Sequence, residues 1–112
     1  MYARVWRAVI LHGKVDEFAA TIKSIIPMLR KLSGFRGLLV LRTGPGEELE
    51  ATVISTWDTI DDLRNSEPTV FQEAVGHMLS TCEPHPLMRE EEVVVSDFVG
   101  GNSDDTVTNF QA

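Results

Sequence analysis

The sequence has 112 residues, of which 43% are hydrophobic and 24% are charged. This length gives one domain with a modest core, and this composition argues against a disordered chain. Seventeen acidic residues against ten lysines and arginines give a net charge of −7. We therefore expect no nucleic-acid partner and no attraction to an anionic membrane.

Two features bear on location. The single cysteine, Cys82, cannot form an internal disulfide, which favours a reducing compartment. Arg4 and Arg7 lie where a signal peptide would need an apolar run, and no apolar stretch approaches the ~18 residues of a membrane span. We expect a cytoplasmic protein.

The first elements are a strand and a long helix. Residues 2–11 are rich in β-branched and aromatic residues and predict a strand, and residues 14–33 predict a helix that Gly34 ends in a left-handed turn. The helix interior contains Pro27, which projects opposite the apolar stripe, so we expect a kink without a break. The stripe has helical spacing and comprises Val15, Phe18, Ala19, Ile22, Ile25, Ile26, Leu29 and Leu32.

A hairpin follows. Residues 35–43 and 48–57 predict the second and third strands, joined by a dense turn signal at 44–47. The two strands are therefore expected to be antiparallel neighbours.

Two helical segments come next. Thr59 and Asp62 resemble a capping box that opens a short helix to about Asn65. Glu67 precedes a proline and is expected outside helical geometry, so a further helix is predicted to start near Pro68. Its apolar residues are Val70, Phe71, Ala74, Val75, Met78 and Leu79.

The last part of the chain gives a loop, a strand and a tail. Residues 82–88 contain two prolines and predict a loop, residues 91–99 predict the fourth strand, and residues 100–112 lack any period. We expect a domain over residues 1–99 with a flexible tail at 100–112. The order βαββαβ predicts the ferredoxin-like α+β fold, a four-stranded antiparallel sheet with its helices on one face.

The strands predict an assembly as well as a fold. Residues 38–41 and 93–95 are apolar at every position, whereas a half-exposed strand alternates apolar with polar. Large apolar side chains left in water would forgo about 1.5–3 kcal/mol each. The helix-free face is therefore expected to pack against an identical sheet in a homodimer. The alternative is a monomer whose exposed face is partly covered by residues 100–112.

Four sequence segments resemble a known family. Ala-Arg-Val-Trp-Arg at 3–7, Ser-Gly-Phe-Arg-Gly at 33–37, Leu-Leu-Val-Leu-Arg at 38–42 and Ser-Thr-Trp-Asp-Thr at 55–59 are similar to the antibiotic-biosynthesis-monooxygenase-like domain. The resemblance covers about residues 1–98 and implies a dimeric α+β barrel. Some members of the family oxygenate quinols or polyketide phenols without a metal or flavin, some degrade haem, and many have no assigned activity.

The chain departs from the haem-degrading members of that family. Those members pair an asparagine on the first strand with a helical tryptophan and a histidine. Here the first strand has no asparagine, Asn65 and Ser66 lie where that tryptophan would be, and His77 is slightly out of register. We therefore expect no haem chemistry and no cofactor.

The candidate site residues carry acid–base, aromatic and cationic chemistry. His77 is the candidate catalytic base, because its pKa range allows it to ionise a phenol that then reduces O₂. Trp57 and Trp6 are candidates for stacking on a flat substrate, and Arg4 and Arg42 for binding a phenolate or carboxylate. Each also has a structural interpretation, as a surface histidine, a core or interface tryptophan, or a solvated strand arginine.

Metal and nucleotide signals are weak or missing. His77, Cys82 and His85 have short spacing but supply only three ligands, so we expect no metal. The sequence contains no phosphate-binding glycine loop, no dinucleotide fingerprint and no nucleophile elbow. The sequence thus favours a cofactor-independent monooxygenase acting on a small aromatic, a quinol or polyketide-like phenol. The alternative is a non-catalytic dimeric module that binds a small apolar ligand or only assembles.

Overall fold

The computed structural model describes residues 1–43, 49–70, 72, 76–84 and 86–97. The elements in chain order are β1 (Tyr2–Ile10), α1 (Val15–Leu29), β2 (Phe35–Thr43), β3 (Leu49–Trp57), α2 (Ile60–Asn65), α3 (Glu67–Val70), α4 (Gly76–Ser80) and β4 (Leu87–Glu92). The turn predicted at 44–47, the tail predicted at 100–112, and Phe71, Ala74 and Val75 of the predicted helix lie outside the described residues.

The four strands form one sheet in the order β2-β3-β1-β4. Every neighbouring pair is antiparallel. Residues that alternate along β1, beginning at Arg4, are buried toward the helices, and Trp6 stacks on Phe18 of α1 with ring centroids 5.9 Å apart. The ferredoxin-like α+β fold with helices on one face of the sheet is therefore confirmed.

Helix α1 buries the predicted stripe. Phe18 and Ile22 are fully buried, whereas Pro27 is exposed, as its position opposite the stripe requires. The helix ends at Leu29, four residues before the predicted end at Ser33. The residues that follow form 3₁₀-type turns, because the Lys31 amide donates to the Met28 carbonyl and the Leu32 amide to the Leu29 carbonyl.

Gly34 and α2 meet at one end of the sheet. Gly34 has φ +77°, as predicted for the left-handed stop, and a Cβ at this position would fall against the Asp62 carboxylate. The Thr59 hydroxyl accepts a hydrogen bond of 3.0 Å from the Asp62 amide, which confirms the predicted N-cap of α2. The helical break falls at Ser66, and Glu67 is the first residue of α3, so the prediction that Glu67 is non-helical is wrong. The Glu67 carboxylate pairs with Arg4 of β1, a tertiary contact that outweighs the local preference.

Strand β4 begins and ends earlier in the sequence than predicted. It spans Leu87–Glu92, not 91–99, and it pairs Leu87 with Arg7 and Glu92 with Tyr2. The valines that favour a strand at 93–95 lie beyond it. Pairing with β1 determines where β4 begins and ends. The glutamates of β4 are compatible with an exposed edge strand.

The helix-free face of the sheet has an apolar centre with a polar surround. Leu39, Ile54 and Val5 are direct cross-strand neighbours on β2, β3 and β1 and form what we call the outer row. Leu39 is 49% exposed. Beside the row, Arg7 and Glu50 form an ion pair of 3.1 Å. Among the described residues no helix is long and apolar enough to cross a membrane.

Candidate functional site

A cavity of about 50 Å³ lies between the inner face of the sheet and the helices. Two adjacent cross-strand rows supply its floor. The floor residues are Leu38, Ser55 and Arg4 in one row, and Val53, Trp6 and Met88 in the other. Ile25 and Leu29 of α1, Val70 of α3 and Met78 of α4 complete the wall.

The surface that the cavity presents is almost wholly carbon and sulfur. The Ser55 hydroxyl accepts a hydrogen bond of 3.0 Å from the Trp57 indole N–H, so it is already engaged. The two methionines supply polarisable side chains with several rotatable bonds, which adapt readily to a ligand. The cavity therefore suits an apolar molecule.

Arg4 is the charged residue of the wall. It lies on β1 and is only 6% exposed. Its guanidinium donates to the Leu63 carbonyl at 2.8 Å and to the Ser66 hydroxyl at 3.3 Å, and it pairs with the Glu67 carboxylate at 3.3 Å. Arg4 thus joins the sheet to the segment that runs from α2 into α3.

The electrostatics of Arg4 reflect burial and two carboxylates. Burial lowers the pKa of the Arg4 guanidinium, while Glu67 and Glu90 act in the opposite direction. Arginine keeps its proton in proteins, so a positive charge stands at the edge of an apolar space. The contacts with described residues use three of the five guanidinium N–H groups. The cavity surface is almost wholly apolar, so Arg4 lines it mainly with its aliphatic stem.

The structure brings two of the predicted site residues together, Trp6 and Arg4, which share the cavity wall. Trp57 lies elsewhere in the core. It is fully buried, and its ring packs edge-to-face on Phe35 at a centroid distance of 5.2 Å. Its side chain is thus a packing element at the end of β3.

The other two predicted residues are exposed. His77 lies on α4 directly before the wall residue Met78, but its side chain is exposed and does not line the cavity. Arg42 lies at the far end of β2 and is exposed as well. Neither lines the cavity.

The possible metal ligands do not converge among the described residues. Cys82 is buried, and burial raises the pKa of its thiol. His77 is exposed, and His85 lies outside the described residues. No group of three or more metal-binding side chains occurs in the part of the chain that the structure describes.

The wall does not fit haem. None of the ten wall residues is a histidine, cysteine or tyrosine, the side chains that most often ligate haem iron in oxygen chemistry. The cavity is also smaller than one aromatic ring, since an engineered apolar cavity that binds benzene measures about 150 Å³.

The sequence did not identify the residues that bind the Arg4 guanidinium or the methionine that β4 contributes to the cavity wall. Ser66 and Glu67 follow α2 with no motif that marks them as arginine partners. Met88 falls in a segment that the sequence assigns to a loop. Strand parity is a signal that could locate Arg4, because residues 4 and 7 of a regular strand point to opposite faces, and here Arg4 is buried while Arg7 is exposed.

No protein-family model matches this sequence, and no curated protein matches it at a significant level. Solved structures do resemble it. A protein from Caulobacter crescentus CB15 assigned to the antibiotic biosynthesis monooxygenases has a TM-score of 0.70 at 17% identity, covering 84% of this chain and 90% of that one.

Two further structures have named activities. The heme-degrader MhuD from Mycobacterium tuberculosis, with two hemes bound in its active site, has a TM-score of 0.62 at 20% identity, covering 86% of this chain and 99% of that one. SnoaB from Streptomyces nogalater, a cofactor-independent oxygenase, has a TM-score of 0.61 at 12% identity, covering 89% and 98%. These likenesses show that the chain has the fold of the antibiotic-biosynthesis-monooxygenase-like domain, as its sequence motifs predict.

Proposed function

We propose that the protein is a cofactor-independent monooxygenase that acts on a small, electron-rich aromatic such as a quinol or a polyketide-like phenol. The observation that carries the proposal is the apolar cavity with Trp6 in its floor and the Arg4 charge at its edge. The fold it shares with a cofactor-independent oxygenase supports the same class of reaction.

The proposed chemistry needs an ionised substrate. A phenolate or enolate gives one electron to O₂, and the two radicals combine to form a C–O bond. At an activated CH₂ the resulting hydroperoxide loses water, so that CH₂ and O₂ become C=O and H₂O. The substrate supplies every electron, and the protein must favour the anion.

Arg4 is the proposed residue that favours the anion. A positive charge within about 4–6 Å of a phenol lowers the pKa of its hydroxyl, and low polarity around the pair strengthens the interaction. The proposal requires the Arg4 guanidinium to turn its two remaining N–H groups toward the anionic oxygen when the substrate binds. Arg4 cannot accept a proton, so the phenol proton passes to water and Arg4 stabilises the anion that remains. His77 is the base expected from the sequence, but it is exposed and does not line the cavity.

Side chains of the cavity wall must move for a substrate to enter. The cavity is too small for an aromatic ring as it stands. Met88 is 42% exposed and lies on the edge strand β4, so it is the wall residue most accessible to solvent. We propose that the substrate enters beside Met88 and displaces the methionine side chains.

Oxygen consumption tests this proposal. We expect the wild-type protein to consume O₂ with a quinol, a naphthol or an anthrone, and Arg4→Met to consume it at least ten-fold more slowly. Arg7→Met is the matched control, because Arg7 lies on the opposite face with a side chain that is 53% exposed. Circular dichroism at the assay temperature checks that each variant is folded. An absence of O₂ uptake by the wild type with all three substrate classes contradicts the proposal.

A second function is favoured by one observation. None of the described wall residues has a side chain that acts as a base at neutral pH, since Arg4 is a cation and the other polar member, Ser55, has a weakly basic hydroxyl. This suits a non-catalytic module that binds a small apolar ligand. Binding of a naphthol without O₂ uptake favours this function over the oxygenase.

We also propose that two copies associate through their helix-free faces. The outer row leaves Leu39 half exposed, and Leu41 beside it is 43% exposed. Light scattering at micromolar concentration should give twice 12.5 kDa for the wild type. Leu39→Lys should give the monomer mass, while Leu79→Lys on α4, which is 43% exposed against 49% for Leu39, should not. A wild-type mass of 12.5 kDa would contradict the homodimer.

A further inference from the structure

Glu67 neutralises the charge of Arg4 at the edge of the cavity. It is the first residue of α3, the helix whose last residue, Val70, lines the cavity. Its carboxylate lies 3.3 Å from the Arg4 guanidinium, and its side chain is 40% exposed. The other two groups that bind the guanidinium, the Leu63 carbonyl and the Ser66 hydroxyl, are uncharged and buried. Among the described partners of Arg4, Glu67 thus combines a negative charge with access to solvent.

A second carboxylate lies nearby and already has its own cation. Glu90 is directly opposite Arg4 in the β1–β4 register. Both of its carboxylate oxygens accept hydrogen bonds from Arg64, at 3.2 and 3.4 Å. Glu67, by contrast, has Arg4 as its ion-pair partner and no other in the part of the chain that the structure describes. The two arginines and two glutamates therefore balance one another, with one carboxylate paired to each cation.

A ligand anion in the cavity disturbs this balance. An anionic oxygen beside Arg4 places a second negative charge on a guanidinium that Glu67 already neutralises, and like charges repel strongly where the surroundings are apolar. The anion gains the full attraction of Arg4 only when the Glu67 side chain turns out to solvent. Its partial exposure permits that rotation. A neutral ligand requires no such displacement.

We propose that Glu67 is a specificity residue of the cavity, which competes with ligand anions for Arg4 and so selects aromatic molecules that arrive uncharged. This inference rests on the proposed function and narrows its substrates to phenols and quinols, as against aromatic carboxylates. The substrate binds in its protonated form and loses its proton to water only afterwards. The anion that forms then takes the place of the Glu67 carboxylate beside Arg4.

Two ligands of the same shape test the proposal in the wild-type protein. 2-Naphthoate and 2-naphthamide differ chiefly in charge at neutral pH, and titration calorimetry gives the dissociation constant of each. The wild type should bind the amide at least as tightly as the carboxylate, although a cation stands at the edge of the cavity. A wild-type preference for the carboxylate overturns the proposal.

Glu67→Gln removes the competing charge and keeps a side chain of the same size. This variant should bind 2-naphthoate about ten-fold more tightly than the wild type, while its affinity for 2-naphthamide stays within about two-fold. Glu50→Gln is the matched control, because Glu50 is 39% exposed and pairs with Arg7 on the opposite face of the sheet. It makes the same change in net charge and should alter neither affinity. An equal gain in both variants overturns the proposal, since net charge alone would then explain it.

The outcomes distinguish this inference from the proposed function. If Glu67→Gln is folded by circular dichroism and binds both ligands with the wild-type ratio of affinities, the role of Glu67 is overturned and the oxygenase proposal stands. If neither ligand binds the wild type or the folded variant, the cavity does not accept a small aromatic, and both proposals are overturned.

Discussion

At the scale of single residues, Arg4 has both a structural and a chemical task. Its guanidinium fixes the Leu63 carbonyl and the Ser66 hydroxyl, and its stem forms part of the cavity floor. A buried group with this many partners is costly to remove, because each partner then loses a hydrogen bond without gaining water.

Arg4→Met should lower the free energy of unfolding by about 1–3 kcal/mol, since the buried Ser66 hydroxyl loses its donor and the Leu63 carbonyl keeps only its bonds from Ser66. Arg7→Met should change it by less than about 0.5 kcal/mol, because the Arg7–Glu50 pair is exposed. Urea denaturation measures both. Equal effects of the two substitutions would show that the Arg4 contacts do not stabilise the fold.

Cys82 gives a prediction about pH. Burial raises the pKa of its thiol in the folded protein above the ordinary value. The unfolded chain therefore loses its thiol proton first as the pH rises, and the contribution of Cys82 to stability, which is complete at neutral pH, declines above the ordinary thiol pKa. The free energy of unfolding should fall more steeply above about pH 8.5 for the wild type than for Cys82→Ala. Parallel pH profiles would contradict a buried, protonated thiol.

At the scale of elements, the turn between α1 and β2 depends on Gly34. Its φ of +77° excludes an unstrained side chain, and a Cβ would meet Asp62 of α2. The Asp58 amide also donates to the Gly34 carbonyl at 2.8 Å. One glycine thus sets the distance between the end of α1 and the start of α2.

Gly34→Ala should destabilise the protein by about 2–4 kcal/mol, because left-handed strain of about 1 kcal/mol adds to a steric conflict with Asp62. Gly13→Ala is a matched control, since Gly13 has φ +78° and nothing lies within 4 Å of its Cβ position. It should cost about 1 kcal/mol. Thermal unfolding distinguishes the two, and equal losses would show that contact with Asp62 is relieved at no cost.

The elements also show what a sequence can predict. Helix α1, the antiparallel pairing of β2 with β3 and the Thr59 cap follow from local spacing and capping chemistry, and the structure confirms all three. Strand β4 does not, because its glutamates pair with β1 only in the assembled sheet. The valines at 93–95 favour a strand that the described chain cannot complete, so the local signal gave the wrong bounds.

The candidate site was less predictable for a physical reason. A cavity is the space that remains between several packed elements, so no single segment of the sequence predicts it. Trp57 is an aromatic residue of the kind that stacks on flat substrates. In the structure its ring packs on Phe35 and its indole N–H donates to Ser55, so its side chain belongs to the core. Alternation along β1 places Arg4 on one face of the strand, but no sequence pattern identifies Ser66 and Glu67 as its partners.

At the scale of the whole molecule, the sheet separates two surfaces with different tasks. The inner face carries the cavity with Trp6 and Arg4, and the outer face carries the row of Leu39, Ile54 and Val5. Strand β4 contributes to both faces, because Met88 lines the cavity and its neighbour Leu87, paired with Arg7, has the opposite parity. The central claim is that the inner cavity accepts a small aromatic molecule.

The most direct measurement uses the four methionines as reporters. In protein labelled with carbon-13 at the methionine methyl groups, titration with 2-naphthol should shift the Met78 and Met88 signals, because both side chains line the cavity. Met1 and Met28 are not among the wall residues and serve as internal controls. Saturable shifts at Met78 and Met88 with little change at Met1 and Met28 are the predicted result. Unchanged spectra up to millimolar naphthol, or equal shifts at all four methyl groups, would contradict the claim.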